Sequence, residues 1–93
     1  MRILEVIHLR MRGEDPEDLA ELVRAAAEDA PDAVEARVYR HARVEGDLLI
    51  HLHRNGTGDG AQVSTLGIRL ASILRSHGLV DHSVWIGHGA RGG

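Results

Sequence analysis

Cysteine is absent from this 93-residue chain, which excludes disulfide bonds, thiolate metal sites and a cysteine nucleophile. Aromatic side chains are nearly absent: Tyr39 and Trp85 are the only two, and there is no phenylalanine. The hydrophobic core must therefore be built from Leu, Ile, Val and Ala. Histidine, by contrast, occurs seven times, and this abundance is the one unusual feature of the composition.

Long apolar segments and long runs of one charge are also missing. No stretch approaches the roughly 20 apolar residues of a membrane helix, and Glu5 interrupts the apolar start, so we expect no signal peptide, no membrane partner and a cytoplasmic location. The net charge is −3, whereas nucleic-acid-binding domains are usually basic, so no nucleic-acid partner is expected. The length fits one domain.

Hydrophobic periodicity predicts six elements in the order β-α-β-β-α-β. Strands are expected over 3–11, 34–44, 48–54 and 80–88. Right-handed crossovers then give a ferredoxin-like α+β fold: a four-stranded antiparallel sheet of order 4-1-3-2 with two helices on one face. We expect residues 1–88 to form this domain and residues 89–93 to form a flexible tail.

Capping signals delimit the two helices. Asp15 and Pro16 suit the start of the first helix, and Pro31 ends it. Asp59 and Gln62 form a variant capping box before the second, and Gly78 suits its C-terminal cap, with Leu79 packing on Leu74. The predicted buried stripes are Leu19, Leu22, Val23, Ala26, Ala27 and Ala30 on the first helix and Val63, Leu66, Gly67, Leu70, Ile73 and Leu74 on the second.

The length of the loop between the second and third strands can be inferred, because the apolar residues of both strands must lie on the same face of the sheet. A three-residue loop pairs Val44 with Leu48 and keeps the apolar residues of both strands on one face, whereas a two-residue loop does not. This register places His41 opposite His51 and Tyr39 opposite His53.

The sheet face that the helices leave uncovered, here called the open face, collects the histidines. Ile3, Glu5, Ile7, Leu9 and Met11 form the more apolar side of the first strand, so the other side lies on the open face. The side chains predicted there are His8, Arg10, Arg37, Tyr39, His41, His51, His53 and Trp85.

His51 and His53 are an H-x-H pair whose side chains point the same way on one strand. With His8 as a third ligand, and Glu35 or His41 as a fourth, they match the donor sets of catalytic zinc or iron. The alternative is a polar surface or a dimer interface, so we expect either a divalent transition metal or none. His77 suits a helix C-terminus, His82 and His88 are expected to face solvent, and the glycine-rich loop at 56–60 is expected to be a flexible connection.

Three segments resemble the antibiotic-biosynthesis-monooxygenase-like group of dimeric α+β barrels: Ile3-Leu4-Glu5-Val6-Ile7-His8, Val38-Tyr39-Arg40-His41, and Leu49-Ile50-His51-Leu52-His53. The resemblance covers residues 2–88 and implies a homodimer whose sheets pack face to face. Some members of the group oxidise small aromatic substrates and some degrade haem. The Asn-Trp-His set of the haem-degrading members is not matched, because the first strand has no Asn and Trp85 lies on the last strand.

Two functions remain open from the sequence. In the first, His8, His51, His53 and Tyr39 are catalytic or ligand-binding groups of a monooxygenase-like protein, while Arg10, His41 and Trp85 orient the substrate. In the second, the same residues line the interface of a non-catalytic, homodimeric interaction or regulatory module. The sequence does not decide whether the protein is an enzyme, nor which small molecule it binds.

Overall fold

A computed structural model describes residues 1–11, 16–29, 34–56 and 62–88, which form a four-stranded antiparallel sheet with two helices on one face. The elements are β1 (Arg2–Met11), α1 (Pro16–Glu28), β2 (Glu35–Arg40), β3 (Asp47–Asn55), α2 (Thr65–Leu74) and β4 (Gly78–Ile86). The strand order is β2-β3-β1-β4, which is the predicted order read from the opposite edge. The ferredoxin-like fold is therefore confirmed.

The core lies between the helices and one side of the central strands. β1 contributes Ile3, Ile7 and Leu9, which are fully or almost fully buried, and this confirms the predicted orientation of the first strand. β3 contributes Leu48, Ile50 and Leu52 to the same layer. The helices add Leu19 and Val23 from α1 and Leu66, Leu70 and Leu74 from α2. Aliphatic side chains thus fill the core of a chain that has no phenylalanine.

The predicted register of the β2–β3 hairpin is wrong. β2 ends at Arg40 instead of Val44, and the connection to Asp47 includes Gly46 at φ 89°. Tyr39 pairs with Leu49, and Arg37 pairs with His51. The predicted pairing is displaced by four residues, an even number, so the two strands keep the expected faces although each residue has a different partner.

The first turn of α1 carries the acidic residues Glu17 and Asp18, whose charges are stabilised by the positive end of the helix dipole. Leu22, predicted to be buried, is 43% exposed because the sheet is covered by the side of the helix that carries Leu19 and Val23. The predicted caps Asp15 and Pro31, as well as Ala30, lie outside the described residues.

α2 begins later than predicted, because Ser64 and not the Asp59–Gln62 pair caps it. The Ser64 hydroxyl accepts a hydrogen bond from the Gly67 amide at 2.9 Å, as an N-cap side chain does. Gln62 and Val63 therefore precede the helix, while Asp59 and the rest of the loop at 57–61 lie outside the described residues.

The end of α2 also differs from the prediction. Gly78 has no positive φ and is instead the first residue of β4. Leu79 consequently lies on the open face, where it is 75% exposed, and does not pack on Leu74. None of the described helices is long and apolar enough to cross a membrane. The predicted tail at 89–93 lies outside the described residues.

Candidate functional site on the open sheet face

The strand registers arrange the open face in four rows that cross the sheet from β2 through β3 and β1 to β4. The rows are Glu35, His53, Leu4 and Trp85; then Arg37, His51, Val6 and Ser83; then Tyr39, Leu49, His8 and Asp81; and finally Asp47, Arg10 and Leu79. All predicted site residues except His41 lie on this face. The sheet therefore brings histidines, a tyrosine and arginines to one surface.

His8 is oriented by a carboxylate. Its Nε2 atom lies 3.1 Å from Oδ2 of Asp47, and the two side chains are 28% and 17% exposed. A carboxylate only accepts hydrogen bonds, so Nε2–H is the donor, and in the neutral ring Nδ1 is the lone-pair acceptor. The sequence pattern gave no role to Asp47, because the predicted three-residue loop between Val44 and Leu48 includes it. Its position at the start of β3, diagonal to His8, follows from the observed register.

His51 lies beside the only tyrosine of the chain. The two ring centroids are 5.1 Å apart, and the rings meet edge to face. Burial lowers the pKa of His51 below 6.5, and the neighbouring His53 lowers it further. Desolvation disfavours the charged imidazolium, so His51 is neutral near pH 7 and can accept a proton or a hydrogen bond.

The three histidines proposed as metal ligands do not form a group. The His51 and His53 ring centroids are 6.0 Å apart, and His8 lies in a different row from both. Among the described residues, no three His, Cys, Asp or Glu side chains are placed to hold a metal ion together. His8, His51 and His53 thus do not converge on one point in this structure.

The structure places His41 in the connection after β2 and not in the paired rows of the open face. It follows β2, and its Nδ1 accepts hydrogen bonds from the amides of Arg43 and Val44 at 3.0 and 2.9 Å. The imidazole thereby satisfies the backbone of the β2–β3 connection. Its predicted position opposite His51 is wrong, because β2 ends at Arg40.

A small hollow lies at the end of the face where His8 meets Asp47. It has a volume of about 160 Å³, and its lining includes Tyr39, Leu49 and His41. The edge strand β4 also carries exposed apolar side chains on the open face: Leu79 is 75% exposed and Trp85 is 60% exposed. The Trp85 indole N–H donates to the Ser83 hydroxyl at 2.9 Å, so the ring lies along β4.

A buried polar cluster, which the sequence pattern did not predict, lies on the opposite side of the sheet. Glu5 is completely buried and accepts hydrogen bonds from the amide and hydroxyl of Ser64, the latter at 2.7 Å. His82 Nε2 lies 2.5 Å from Oε2 of Glu5, so the expectation that His82 faces solvent is wrong. Arg54 Nε lies 3.9 Å from the same carboxylate.

This cluster stabilises the fold and does not form a catalytic pair. Ser64 and His82 both bind the carboxylate and not each other, so His82 is not placed to take the Ser64 proton. Glu5 instead fastens the N-terminus of α2 to β1. The signal available in the sequence was Glu5 itself, the one charged residue on the apolar side of the first strand.

Comparison with known proteins shows the fold. No protein-family model and no curated protein matches the chain. Among solved structures, the chain is similar to a mutant of SnoaB, a cofactor-independent oxygenase from Streptomyces nogalater, with a TM-score of 0.67. The similarity covers 97% of this chain and 96% of SnoaB at 14% identity. This match supports the topological resemblance to monooxygenase-like α+β proteins, and at this identity it shows the shared fold alone.

Proposed function

We propose that this protein is a homodimer that binds a small phenolic molecule on the open sheet face and removes its acidic proton in an oxygenase-type reaction. The observation that carries the proposal is the His8–Asp47 pair in a hollow lined by Tyr39 and Leu49. Asp47 binds one ring nitrogen of His8 and leaves the other as the proton acceptor. The fold shared with SnoaB, named as a cofactor-independent oxygenase, supports the reaction class.

The proposed step is a proton transfer. The ligand O–H gives its proton to Nδ1 of neutral His8, and Asp47 stabilises the imidazolium that forms. The phenolate left behind is richer in electrons than the phenol and is therefore oxidised more readily by molecular oxygen, the co-substrate. His51 is a second acceptor, and its edge-to-face contact with Tyr39 places both rings beside the hollow.

The dimer is proposed because one chain leaves the site open. Typical small-molecule pockets have volumes of roughly 300–1,000 Å³, whereas the hollow beside His8 has about 160 Å³. A second open face packed against the first would close it, and would also cover Leu79 and Trp85, which one chain exposes to water.

The first test combines oligomeric state with oxygen consumption. Sedimentation equilibrium gives the mass, and an oxygen electrode records uptake with dihydroxynaphthalenes, whose spontaneous oxidation without protein is the baseline. We expect a dimer, uptake above that baseline, and a loss of about 10²–10⁴-fold in His8→Gln, the usual contribution of a general base. The control is His88→Gln, an exposed histidine beyond the end of β4.

The alternative is a non-catalytic homodimeric module in which the same face is only an interface. Exposed Leu79 and Trp85 favour a covered face whether or not a ligand binds there. A dimer with no oxygen uptake and no binding of phenols would support this alternative, and equal uptake by His8→Gln and the unaltered protein would contradict the proposed role of His8.

A further inference from the structure

β4 is an edge strand whose outer side has no partner strand in the part of the chain that the structure describes. The strand order is β2-β3-β1-β4, so β1 lies on one side of β4 only. The Gly87 amide donates to the Arg2 carbonyl, and hydrogen-bonded pairs alternate along an antiparallel ladder, so the odd-numbered residues of β4 bond to β1. The even-numbered residues from Val80 to Ile86 therefore direct their N–H and C=O groups away from the sheet.

β4 lacks the features by which proteins protect a sheet edge from other strands. It contains no proline, lysine or arginine, and Asp81 is its only acidic residue. Its pairing with β1 is continuous over all nine residues, so no bulge bends it. Leu79, Trp85 and Ile86 are each at least 50% exposed. A long, regular and apolar edge of this kind is a template for pairing with another strand.

The opposite edge of the sheet has the protection that β4 lacks. β2 is only six residues long, and Glu35, Arg37 and Arg40 give it charged side chains at both ends and in between. Short, charged edge strands discourage pairing with a strand from another chain. The contrast indicates that β4, and not β2, accepts a partner.

The open-face side of β4 is complementary to itself when two copies pair antiparallel about His82. His82 is the middle residue of the strand, so this register pairs the strand over its whole length. It sets Leu79 opposite the partner's Trp85, which joins two exposed apolar side chains. It also sets Asp81 opposite the partner's Ser83. The Ser83 hydroxyl accepts the Trp85 indole N–H, so its own hydrogen can be donated to the carboxylate.

The helix side of β4 fits the same register. Val80 lies opposite the partner's Val84, and β-branched side chains pack well across a ladder. The two copies of His82 meet at the symmetry axis, but each ring is only 11% exposed and lies 2.5 Å from Glu5 of its own chain. A register centred on Asp81 would instead set two carboxylates opposite each other, which is unfavourable.

We propose that β4 pairs antiparallel with β4 of a second copy of this chain, in the register centred on His82, and joins two sheets into one. The inference goes beyond the proposed function and does not rest on it, because the edge contact uses backbone groups in the plane of the sheet, whereas the open-face contact uses side chains above it. Two edges bury less surface than two packed faces, so open-face dimers should associate through β4 reversibly as the protein concentration rises.

The test is a disulfide cross-link, which is clean because the chain has no cysteine. Asp81→Cys and Ser83→Cys proteins are oxidised in a glutathione buffer, each alone and mixed. In the proposed register, positions 81 and 83 of two chains have Cα atoms about 4.5 Å apart, within the reach of a disulfide. Two copies of either position are about 7–8 Å apart, and two packed sheet faces are about 10 Å apart, so neither of these arrangements forms the bond.

We expect the mixture to give a covalent dimer that contains one chain of each variant by mass spectrometry, and each variant alone to give severalfold less. The matched control is a mixture of Arg37→Cys and Tyr39→Cys, two exposed positions with the same spacing on β2. That mixture should show no excess of the mixed dimer. Equal yields from the single variants and the mixture, or an excess only in the β2 control, would overturn pairing between copies of β4.

A second measurement needs no cysteine and uses sedimentation velocity over a range of protein concentrations. Ser83→Asp places a carboxylate opposite the partner's Asp81, and Ser83→Lys places an ammonium group there. The first should weaken the association between dimers severalfold, and the second should strengthen it. Identical association of both variants would overturn the register. Failure of the open-face dimer is seen separately, as monomers at low concentration, and leaves the cross-link test unaffected.

Discussion

Gly67 offers a sharp test of the buried cluster that joins α2 to β1. A Cβ added at Gly67 would overlap the Glu5 carboxylate, falling 2.5 Å from its Cδ, where ordinary carbon contacts are about 3.5–4.0 Å. Glu5 cannot swing away, because it is fully buried and bound by Ser64 and His82. Gly67→Ala should therefore destabilise the protein, although alanine favours a helix more than glycine does.

The magnitude follows from three effects. Overpacking of a core costs about 1–3 kcal/mol, and displacing the carboxylate weakens at least one charge-assisted hydrogen bond worth about 1.5–3 kcal/mol. Alanine has a higher helix propensity than glycine, and this offsets about 1 kcal/mol of the loss. The net loss expected for Gly67→Ala is therefore about 1.5–5 kcal/mol, a substantial part of the roughly 5–15 kcal/mol that stabilises a typical domain.

Urea unfolding measures this loss as a lower midpoint with an unchanged slope. The matched control is Thr65→Ala, at an exposed position of the same helix, where a change within about 0.5 kcal/mol is expected. In a Glu5→Val background the obstacle is gone, so Gly67→Ala should there become neutral or stabilising by up to about 1 kcal/mol. An equal loss in both backgrounds, or no loss in the unaltered protein, would refute the packing argument.

Three further predictions concern single residues. In an NMR titration, His51 should have a pKa below 6.5, and His53→Gln should raise it towards that value. Because the folded pKa is lowered, the contribution of His51 to stability is full above pH 6.5 and is lost as the pH falls towards the folded pKa; a pKa at or above 6.5 would contradict this. Ser64→Ala should cost about 1–2 kcal/mol in urea unfolding through loss of the N-cap of α2, and an unchanged midpoint would show that Glu5 alone holds that end. Leu79→Asp should dissociate the dimer in sedimentation experiments, whereas Ile68→Asp on the exposed face of α2 should not; dissociation by both or neither would contradict an interface on the open face.

The fold was predictable because the spacing of apolar residues along the chain indicates which side of each strand and helix is buried. The apolar side of the first strand, Ile3, Ile7 and Leu9, assigned that strand correctly, and with it placed His8 on the open face. In β4, the alternation of Trp85 with Val84 and Ile86 likewise placed Trp85 on the open face. Patterns of this kind depend on which side of an element is buried, and they tolerate errors of a few residues at its ends.

The pairing of particular residues was not predictable in the same way. A shift of four residues between β2 and β3 preserves both faces, so alternation alone could not exclude the observed register, in which Tyr39 pairs with Leu49. Sequence spacing also could not reveal that Asp47 binds His8, because the two residues are 39 positions apart.

The polar contacts on the helix side were hidden for a related reason. Glu5 binds Ser64 and His82, which are 59 and 77 positions away, and the local contact between the Ser64 hydroxyl and the Gly67 amide indicates a helix cap and not a buried carboxylate. Asp59 and Gln62 were a plausible capping pair from local sequence. Ser64 is the N-cap in the structure, and the contact between the Ser64 amide and Glu5, which is distant in sequence, adds to its stability there.

The most direct test of the central claim is the absorption spectrum of bound 2-naphthol, which shows whether the ligand is phenol or phenolate. At a pH where the free compound is protonated, the unaltered protein should produce the naphtholate band on binding. His8→Gln should bind without that band, and Asp47→Asn should weaken it, because the amide no longer stabilises the imidazolium. Naphthol that binds only as the neutral phenol, or a naphtholate band that persists undiminished in His8→Gln, would contradict the assignment of His8 as the proton acceptor.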